Sequence, residues 1–263
     1  RSKEYDALLF LTPHEVTYKY LLDVDASVKV LAEKPITFYS KKLKKIKNKN
    51  IKIAFNRRQY KSIEIIKSEI NKNKIFFIEV SIPENINFLK NKKQLLNNKN
   101  FREKYFNIFY NSIHIFDLIK YMAGNYTVSS IKHLKGNANS LDGYIICINS
   151  HKVKKIIIKS VFNASENFSL VAYSKEARFV LNPLESLSIY KGMHIIEPNL
   201  EFPLRRYEPI KVSHNNETVS LNSKPGFIKQ ANSFFDFCKN KKSNLANLED
   251  LKDSIHLAEK IFK

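Results

Sequence analysis

The stretch Asp6-Ala7-Leu8-Leu9-Phe10-Leu11-Thr12-Pro13-His14-Glu15 decides the fold. Its uninterrupted apolar run is typical of a strand buried on both faces of a parallel sheet. The turn after it offers a hydroxyl at the N-cap, Thr12, then proline at the first helical position and glutamate three residues after the cap, so a helix is predicted here. A second apolar run at residues 28–31 completes a β-α-β unit. Because buried parallel strands need neighbours on both sides, we expect the natural protein to begin upstream of residue 1.

The alternation of strand and helix continues as far as residue 82. A Lys-rich helix is predicted over residues 40–47 and a strand over 51–55. A second helix, over 59–71, has Tyr60, Ile63, Ile66 and Ile70 on one face, and a strand follows at 75–82. Residues 84–99 combine Asn and Lys with few apolar positions, which predicts a long exposed loop, with a lid as one interpretation. A helix over 102–122 ends at Gly124, a suitable C-cap.

Beyond residue 124 the pattern changes to short β-rich segments separated by Asn, Gly, Pro and Ser. They lie at residues 127–134, 144–149, 154–162, 168–173, 177–181, 186–190 and 194–197. Two amphipathic helices, over 229–239 and 247–262, close the chain. The predicted fold class is α/β plus α+β. Residues 1–56 form the C-terminal part of a parallel-sheet domain, and residues 57–263 form a domain with a large, mostly antiparallel open sheet and helices on one face. The last helix is expected to pack back on the first domain.

Composition excludes several function classes. The 263 residues include 45 Lys+Arg and 25 Asp+Glu, a formal net charge of +20. The densest basic run, residues 41–49, has no interleaved aromatic residues for base stacking, and Lys, Asn and Ile are enriched along the whole chain, so the charge is interpreted as a solvated surface. No apolar run approaches the ~18 residues of a membrane span, and no export signal is visible, so a cytoplasmic location is expected. The histidines and cysteines lack metal-ligand spacing, and no metal is predicted.

Five stretches follow one another in an order and spacing typical of one enzyme family. They are residues 6–14, Val30-Leu31-Ala32-Glu33-Lys34-Pro35, Asn56-Arg57-Arg58, His114-Ile115-Phe116-Asp117-Leu118 and Pro225-Gly226-Phe227. On these residues the chain resembles, over essentially its whole length, the glucose-fructose oxidoreductase and inositol dehydrogenase (Gfo/Idh/MocA) family. The resemblance implies a Rossmann-type nucleotide-binding part, NAD or NADP as cofactor, and hydride transfer between nicotinamide and a sugar, amino sugar or nucleotide sugar.

One family feature is absent from the chain. A G-x-G-x-x-G loop lets backbone amides approach a pyrophosphate at a helix N-terminus. The five glycines are at positions 124, 136, 143, 192 and 226, and even the nearest pair is too far apart for that loop. The first β-α-β unit is therefore expected upstream, and this chain alone is expected to bind dinucleotide poorly and to be inactive.

Lys34 is the first catalytic candidate. An ammonium group beside the carbinol oxygen stabilises the negative charge that develops as the hydride leaves. The resemblance implies that Lys34 contacts substrate and nicotinamide ribose and that the Lys34–Pro35 bond is cis. The implied cofactor-binding set is Thr12, Pro13, His14, Glu33, Lys34 and Pro35. The alternative for Lys34 is that it is one more solvated lysine, and the alternative for His14 is that it only helps to cap its helix.

His114 is the second catalytic candidate, since an imidazole can accept the hydroxyl proton. Helical spacing places Tyr110, His114, Asp117 and Tyr121 in one row. Most family members carry Asp four residues before this His, where the present chain has Tyr110 with Asn111 beside it. Either Tyr110 relays the proton as a catalytic residue, or Asn111 hydrogen-bonds substrate, or the site has changed its chemistry. Asp117 is also a substrate-binding candidate, and the alternative is that it only satisfies His114.

Arg57 and Arg58 follow the end of a strand, where α/β domains bind ligands, so both are substrate-binding candidates. A guanidinium there can hold a carboxylate, a phosphate or sugar hydroxyls, and structural salt bridging is an equal alternative. Arg205-Arg206-Tyr207 is predicted to lie in a loop that crosses the sheet surface.

The leading hypothesis is thus an NAD(P)-dependent oxidoreductase of a sugar-like substrate. The alternative is a non-catalytic member of the fold or a basic nucleic-acid-binding protein. The open sheet is expected to form a homo-oligomer, because its apolar residues need cover. The apolar residues expected on the open face include Ile156, Ile158, Val171 and Ile189.

Overall fold

Two β-sheets organise the computed structural model, which describes residues 4–85, 107–136, 141–217 and 223–262. Most of the predicted loop at 84–99 and the beginning of the predicted helix at 102–122 lie outside the described residues. Within them, the parallel sheet and the large, mostly antiparallel sheet confirm the predicted fold class.

The first sheet has four strands in the order β1-β2-β3-β12. They are β1 (Ala7–Phe10), β2 (Lys29–Ala32), β3 (Ile51–Ile53) and β12 (Ala246–Asn247). The first three are parallel, with Leu8 opposite Val30 and Val30 opposite Ile51, and β12 is antiparallel to β3. The β-α-β rhythm is therefore confirmed, and a short segment from the end of the chain completes the sheet.

Two details around β1 differ from the prediction. This strand is at the edge of the described sheet, and Leu9 is 60% exposed because no described residue covers its face. The helix α1 (His14–Asp23) begins after Pro13, and no side chain caps it. The Thr12 hydroxyl instead lies 2.8 Å from that of Thr17, which in turn donates to the Thr12 carbonyl oxygen.

The helices of this region are shorter than predicted. The helix α2 (Ser40–Leu43) does not reach residue 47, because the chain turns back there and the buried Asn48 amide donates to the carbonyl oxygens of Asp25 and Val28. A 3₁₀ turn, Asn56–Gln59, precedes α3 (Lys61–Asn71), on which the predicted Ile63, Ile66 and Ile70 are buried. A π-helical turn, Ile108–Ser112, leads into α4 (Ile113–Ala123), which ends at Gly124 as predicted.

The second sheet has eight strands in the order β11-β10-β9-β8-β4-β7-β6-β5. They are β4 (Ile75–Ser81), β5 (Tyr126–Lys135), β6 (Leu141–Ser150), β7 (Lys155–Val161), β8 (Ser169–Ser174), β9 (Arg178–Leu181), β10 (Ser186–Ile196) and β11 (Arg206–Asn216). Among the described strands of this sheet, only the β4–β7 pair is parallel.

Two predictions about the segments that form β10 and β11 were wrong. The segments at 186–190 and 194–197 form one strand, β10, whose register shifts between Tyr190 and Met193. Arg206 and Tyr207 begin β11 instead of lying in a loop, and Arg205 pairs with Glu197 at 2.9 Å. The strand β11 contains a proline, which is compatible with its position at the edge of the sheet. Because β11 is exposed along almost its whole length, its sequence does not alternate between apolar and polar residues, and no such signal predicted a strand here.

The two faces of the large sheet differ in cover. One row across five strands, Ile148, Ile156, Ile78, Ala172 and Phe179, is buried. The adjacent row, Cys147, Ile157, Glu79, Val171 and Val180, is partly or fully exposed. The assignment of Ile156, Ile158 and Ile189 to the open face was wrong, because the first two are fully buried and Ile189 lies opposite the buried Phe179. Val171 does lie on the open face.

Two helices end the chain, α5 (Phe227–Cys238) and α6 (Leu248–Lys260). Asn247 caps α6 in a capping box with Asp250, and Leu251, Ile255 and Ala258 are buried on its predicted apolar stripe. Glu259 of α6 accepts hydrogen bonds from the backbone and hydroxyl of Ser40, at the start of α2. The domain boundary after residue 56 and the packing of the last helix on the first domain stay predictions. No described helix is long and apolar enough to span a bilayer.

Candidate active site

A cavity of about 360 Å³ opens where the carboxyl ends of β2 and β3 face α4 and the β9–β10 connection. Carboxyl ends of parallel strands are the usual ligand-binding edge of such sheets. The cavity brings together residues that are far apart in the chain. Its lining is Glu33, Lys34, Ala54, Asn56, Arg57, Tyr60, His114, Glu185, Lys224, Pro225 and Phe227.

Lys34 reaches this cavity from the end of β2. Its Nζ donates a hydrogen bond of 2.5 Å to the main-chain carbonyl oxygen of Tyr110. Burial lowers the pKa of Lys34 to about 8, opposed by Glu33 and assisted by Arg57. The Lys34–Pro35 peptide bond is cis. Lys34 is therefore a largely buried amine at the wall of this cavity and not one more solvated lysine.

His114 lines the same cavity from α4. Its Nδ1 atom is buried and has no hydrogen-bond partner among the described residues. Its ring lies edge-on to Phe55, with centroids 5.6 Å apart. Burial, with the charges of Lys34 and Arg57, holds the pKa of His114 well below its usual value, so the ring is neutral. Asp117 does not satisfy His114, which removes that alternative.

Arg57 is the cavity's second cation. Its guanidinium carbon lies 3.9 Å from the centroid of the Phe168 ring, and its Nη1 is buried without a partner among the described residues. Burial lowers the pKa of Arg57, whereas Tyr60 and Glu185 raise it. Tyr60 in turn donates a hydrogen bond of 2.9 Å to Glu185. Arg57 is thus held at the wall of the cavity, beside a carboxylate that the sequence did not reveal.

Asn56 and Gly226 close one side of the cavity by close backbone approach. The Asn56 amide donates to the Pro225 carbonyl oxygen at 3.0 Å. Gly226 has φ +81°, and a β-carbon there would collide with the Asn56 carbonyl oxygen. Glycine is required on both counts.

The predicted cofactor residues of the first turn lie outside the cavity lining. Thr12 and Pro13 are exposed, and His14 stacks on Phe38 with ring centroids 4.3 Å apart. His14 Nδ1 and the Tyr110 hydroxyl lie 3.0 Å apart. Tyr110 therefore connects His14 to Lys34, through its hydroxyl on one side and its carbonyl oxygen on the other.

Arg58 and Asp117 do not enter the cavity. They form a buried, bidentate pair with distances of 2.7 and 2.5 Å, and Asp250 lies 3.3 Å from Arg58. The consecutive residues Arg57 and Arg58 therefore face different surroundings, and Arg58 has the structural role that the sequence left as its alternative. Arg58 also borders a second cavity of about 680 Å³ beneath α5.

Asn111 faces a carboxylate, Glu84, that the sequence analysis placed in an exposed loop. Glu84 is only 1% exposed, and its carboxylate accepts hydrogen bonds from the Asn111 amide at 3.3 Å and the Ser112 backbone at 3.1 Å. Burial raises the pKa of Glu84 to about 7. No sequence signal marked Glu84, because a single acid among Asn and Lys residues shows no periodicity. No group of three metal-ligating side chains occurs in the described part of the chain.

No protein-family model and no curated protein sequence matches the chain. Solved structures match it over nearly its whole length. A dehydrogenase from Clostridium difficile has a TM-score of 0.70 at 18% identity, covering 99% of this chain and 80% of its own. UDP-N-acetylglucosamine 3-dehydrogenase from Acidithiobacillus ferrooxidans has 0.65 at 13%, covering 99% and 78%. An oxidoreductase from Agrobacterium radiobacter in complex with NAD⁺, L-tartaric acid and magnesium has 0.66 at 11%, covering 100% and 79%. The chain thus has the fold of Gfo/Idh/MocA-type dehydrogenases, which confirms the resemblance at the level of fold.

Proposed function

We propose that this protein is an NAD(P)-dependent oxidoreductase that transfers hydride between a nicotinamide and the carbinol or keto carbon of a sugar-like substrate. One observation carries the proposal: Lys34, just after β2, and His114, on α4 and 80 positions later in the chain, line the same cavity at the carboxyl edge of a parallel sheet. The dehydrogenases that share the fold support the same class of reaction. The nucleic-acid-binding alternative has no such support.

Lys34 supplies the positive charge in this mechanism. Its amine lies beside the cavity, and its lowered pKa of about 8 keeps it mainly protonated at neutral pH. A buried ammonium interacts strongly with an alkoxide, because water does not screen the interaction. Lys34 therefore stabilises the substrate oxygen as its carbon loses hydride.

His114 takes the proton. Its ring is neutral at physiological pH, so one nitrogen is available as an acceptor. Nδ1 is buried, which leaves Nε2 as the nitrogen that contacts a ligand in the cavity. In oxidation Nε2 accepts the hydroxyl proton, and in reduction it returns that proton to the product oxygen.

The described residues fit the nicotinamide end of the cofactor and not its pyrophosphate. Lys34 and Glu33 at the end of β2, with His14 and Tyr110 beside them, would hold the nicotinamide ribose. When bound, the nicotinamide accepts or donates the hydride. The turns directly after β1, β2 and β3 contain no glycine, so none of them can form the close-approach loop that a pyrophosphate needs.

Binding and turnover test the proposal together. Calorimetric titration with reduced nicotinamide mononucleotide, which carries no adenylate half, should show binding that Lys34→Ala weakens and that Lys61→Ala, at an exposed lysine on α3, leaves unchanged. In protein expressed from the complete reading frame, stopped assays with NAD⁺ or NADP⁺ and a panel of polyols and sugar acids should show turnover that His114→Asn abolishes while the far-ultraviolet circular dichroism spectrum is retained. Equal binding by both lysine variants, or turnover unaffected by His114→Asn, would contradict it.

We further propose that the open face of the large sheet forms a homo-oligomer. The exposed row across β6, β7, β4, β8 and β9 is apolar except for Glu79. Partly exposed isoleucine and valine side chains on a continuous sheet surface favour a second copy of the same surface, since an isologous pairing covers both at once.

A further inference from the structure

Glu84 occupies a buried position between the large sheet and the π-helical turn Ile108–Ser112. Its backbone is fixed beside β7, where it bridges to Phe162 and its carbonyl oxygen accepts from the Asn163 backbone at 2.8 Å. Its carboxylate accepts hydrogen bonds from the backbone and the hydroxyl of Ser112 and from the Asn111 amide. All three donors belong to the π-helical turn that begins α4.

The same turn presents the acceptor for Lys34. The Tyr110 carbonyl oxygen, one residue before Asn111, accepts the hydrogen bond from Lys34 Nζ. Ser112 is held a second time, because its hydroxyl lies 2.8 Å from that of Tyr144 on β6. The turn is therefore fastened to the large sheet on one side and to the catalytic lysine on the other. Single π turns within α-helices occur frequently at functional sites.

We propose that Glu84 is a positioning residue for Lys34: by clamping the π turn through Ser112 and Asn111, it fixes the carbonyl oxygen that holds the Lys34 amine at the cavity. Glu84 itself does not line the cavity. The significance of the clamp for catalysis rests on the proposed function, but the effect of the clamp on the Lys34 amine does not.

Charge supports this geometry. Besides its hydrogen bonds, the Glu84 carboxylate favours the protonated form of Lys34, as Glu33 does, whereas Arg57 opposes it. His114, on α4, is also close enough to Lys34 for the charge of the lysine to lower the pKa of the imidazole. If Glu84 acted only as a hydrogen-bond acceptor for the helix, removing its charge would leave the pKa of Lys34 unchanged.

Competitive acetylation measures Lys34 without cofactor or substrate. The full chain is treated with trace acetic anhydride from pH 6 to pH 10.5, and the acetylated fractions of Lys34 and exposed Lys61 are read by mass spectrometry. Glu84→Gln keeps an acceptor oxygen but removes the charge, and Ser112→Ala keeps the charge but removes one bond of the clamp. Glu79→Gln on β4, at an exposed carboxylate, is the matched control.

We expect the Lys34 labelling midpoint, near pH 8 in the wild type, to fall by at least about half a unit in Glu84→Gln, since an opposite charge has been removed. Ser112→Ala should raise the plateau rate of Lys34 labelling about twofold, because a loosened turn frees the amine. Glu79→Gln should change neither. An unchanged plateau rate in Ser112→Ala overturns the proposal whether or not Glu84→Gln folds, because a shifted midpoint in Glu84→Gln alone reports the charge of Glu84 and not the clamp. Labelling changes without hydride transfer would reject only the proposed function.

Discussion

Arg58 and Asp117 are joined by two hydrogen bonds, from Nε to Oδ2 at 2.7 Å and from Nη2 to Oδ1 at 2.5 Å, with both side chains buried. The pair connects the 3₁₀ turn after β3 to the helix that carries His114. It thereby holds α4 against the parallel sheet, one turn away from the cavity. The arginine next to it, Arg57, is left to face the cavity.

Removing the Asp117 carboxylate should strongly destabilise the fold. Asp117→Ala leaves a buried guanidinium without its main partner, which costs about 3–5 kcal/mol in the free energy of unfolding. Asp253→Ala is the control, because Asp253 pairs with Lys120 at 2.9 Å where both side chains are partly exposed, and such pairs contribute about 1 kcal/mol or less. Urea unfolding of the two variants measures both values, and equal losses would contradict a special role for the buried pair.

Replacing Lys34 by methionine should stabilise the protein. The pKa of Lys34 in the fold is about 8, below its ordinary value of 10.5, so the folded state disfavours its charge. That penalty is fully present below pH 8 and disappears as the pH rises towards 10.5. We expect Lys34→Met to gain about 1–2 kcal/mol at pH 7, after discounting the lost hydrogen bond to Tyr110.

The measurement is urea unfolding at pH 7 and at pH 9.5. The advantage of Lys34→Met should shrink at the higher pH, where the wild type is relieved of its buried charge. Lys61→Met, at an exposed position, should change stability by less than about 0.5 kcal/mol at either pH. If the wild type has a larger free energy of unfolding than Lys34→Met at pH 7, the hydrogen bond to Tyr110 outweighs the cost of burying the charge.

His114 should stay neutral across the physiological range. Its pKa lies well below 6.5 because of burial and the nearby charges of Lys34 and Arg57. In ¹H–¹³C spectra its Cε1 resonance should not move between pH 8 and pH 6. In Lys34→Met the onset of titration should shift to higher pH, because one of the two charges is gone. A midpoint near 6.5 in the wild type would rule out the buried environment described above.

Gly226→Ala should cost more than Gly192→Ala. Both glycines have positive φ, +81° and +69°, so both variants suffer backbone strain of about 1 kcal/mol. Only at Gly226 would the new β-carbon also meet the Asn56 carbonyl oxygen and the Tyr60 ring. We therefore expect Gly226→Ala to lose both more stability and ligand binding, because Asn56 and Pro225 line the cavity. Thermal unfolding and calorimetric titration compare the two variants, and equal losses would contradict the steric argument.

The oligomer proposal predicts that a charge on the open sheet face produces monomers. Ile157→Arg places a guanidinium in the centre of the exposed row, where pairing of two copies would bring two such charges together. Ile228→Arg, at a residue of α5 that is 62% exposed, is the control off the sheet. Sedimentation velocity at micromolar concentration should give a multiple of 30.7 kDa for the wild type and the control. A monomeric wild type would defeat the proposal.

Much of the fold could be predicted because its signals are local. The apolar stripes of α3 and α6 and the β-rich runs of β6 and β7 each occupy a few consecutive residues. Composition and the flanking turn residues identified the strands, but they could not say which of the two sets of side chains on a strand faces the helices. Ile156 and Ile157 are equally apolar, and only the packing of helices on one side buried the first and left the second partly exposed.

For the candidate site, the sequence by itself determined which residues can carry the chemistry: a lysine before proline at the end of a strand, and a histidine on a later helix. Only the tertiary structure decided that these two share a cavity, that Arg58 binds Asp117, and that Glu84 is buried beneath the π turn. The physical reason is the range of the forces involved. Helical and strand patterns arise from neighbours in the chain, whereas burial, charge pairing and shifted pKa values arise from contacts between segments that the chain brings together only on folding.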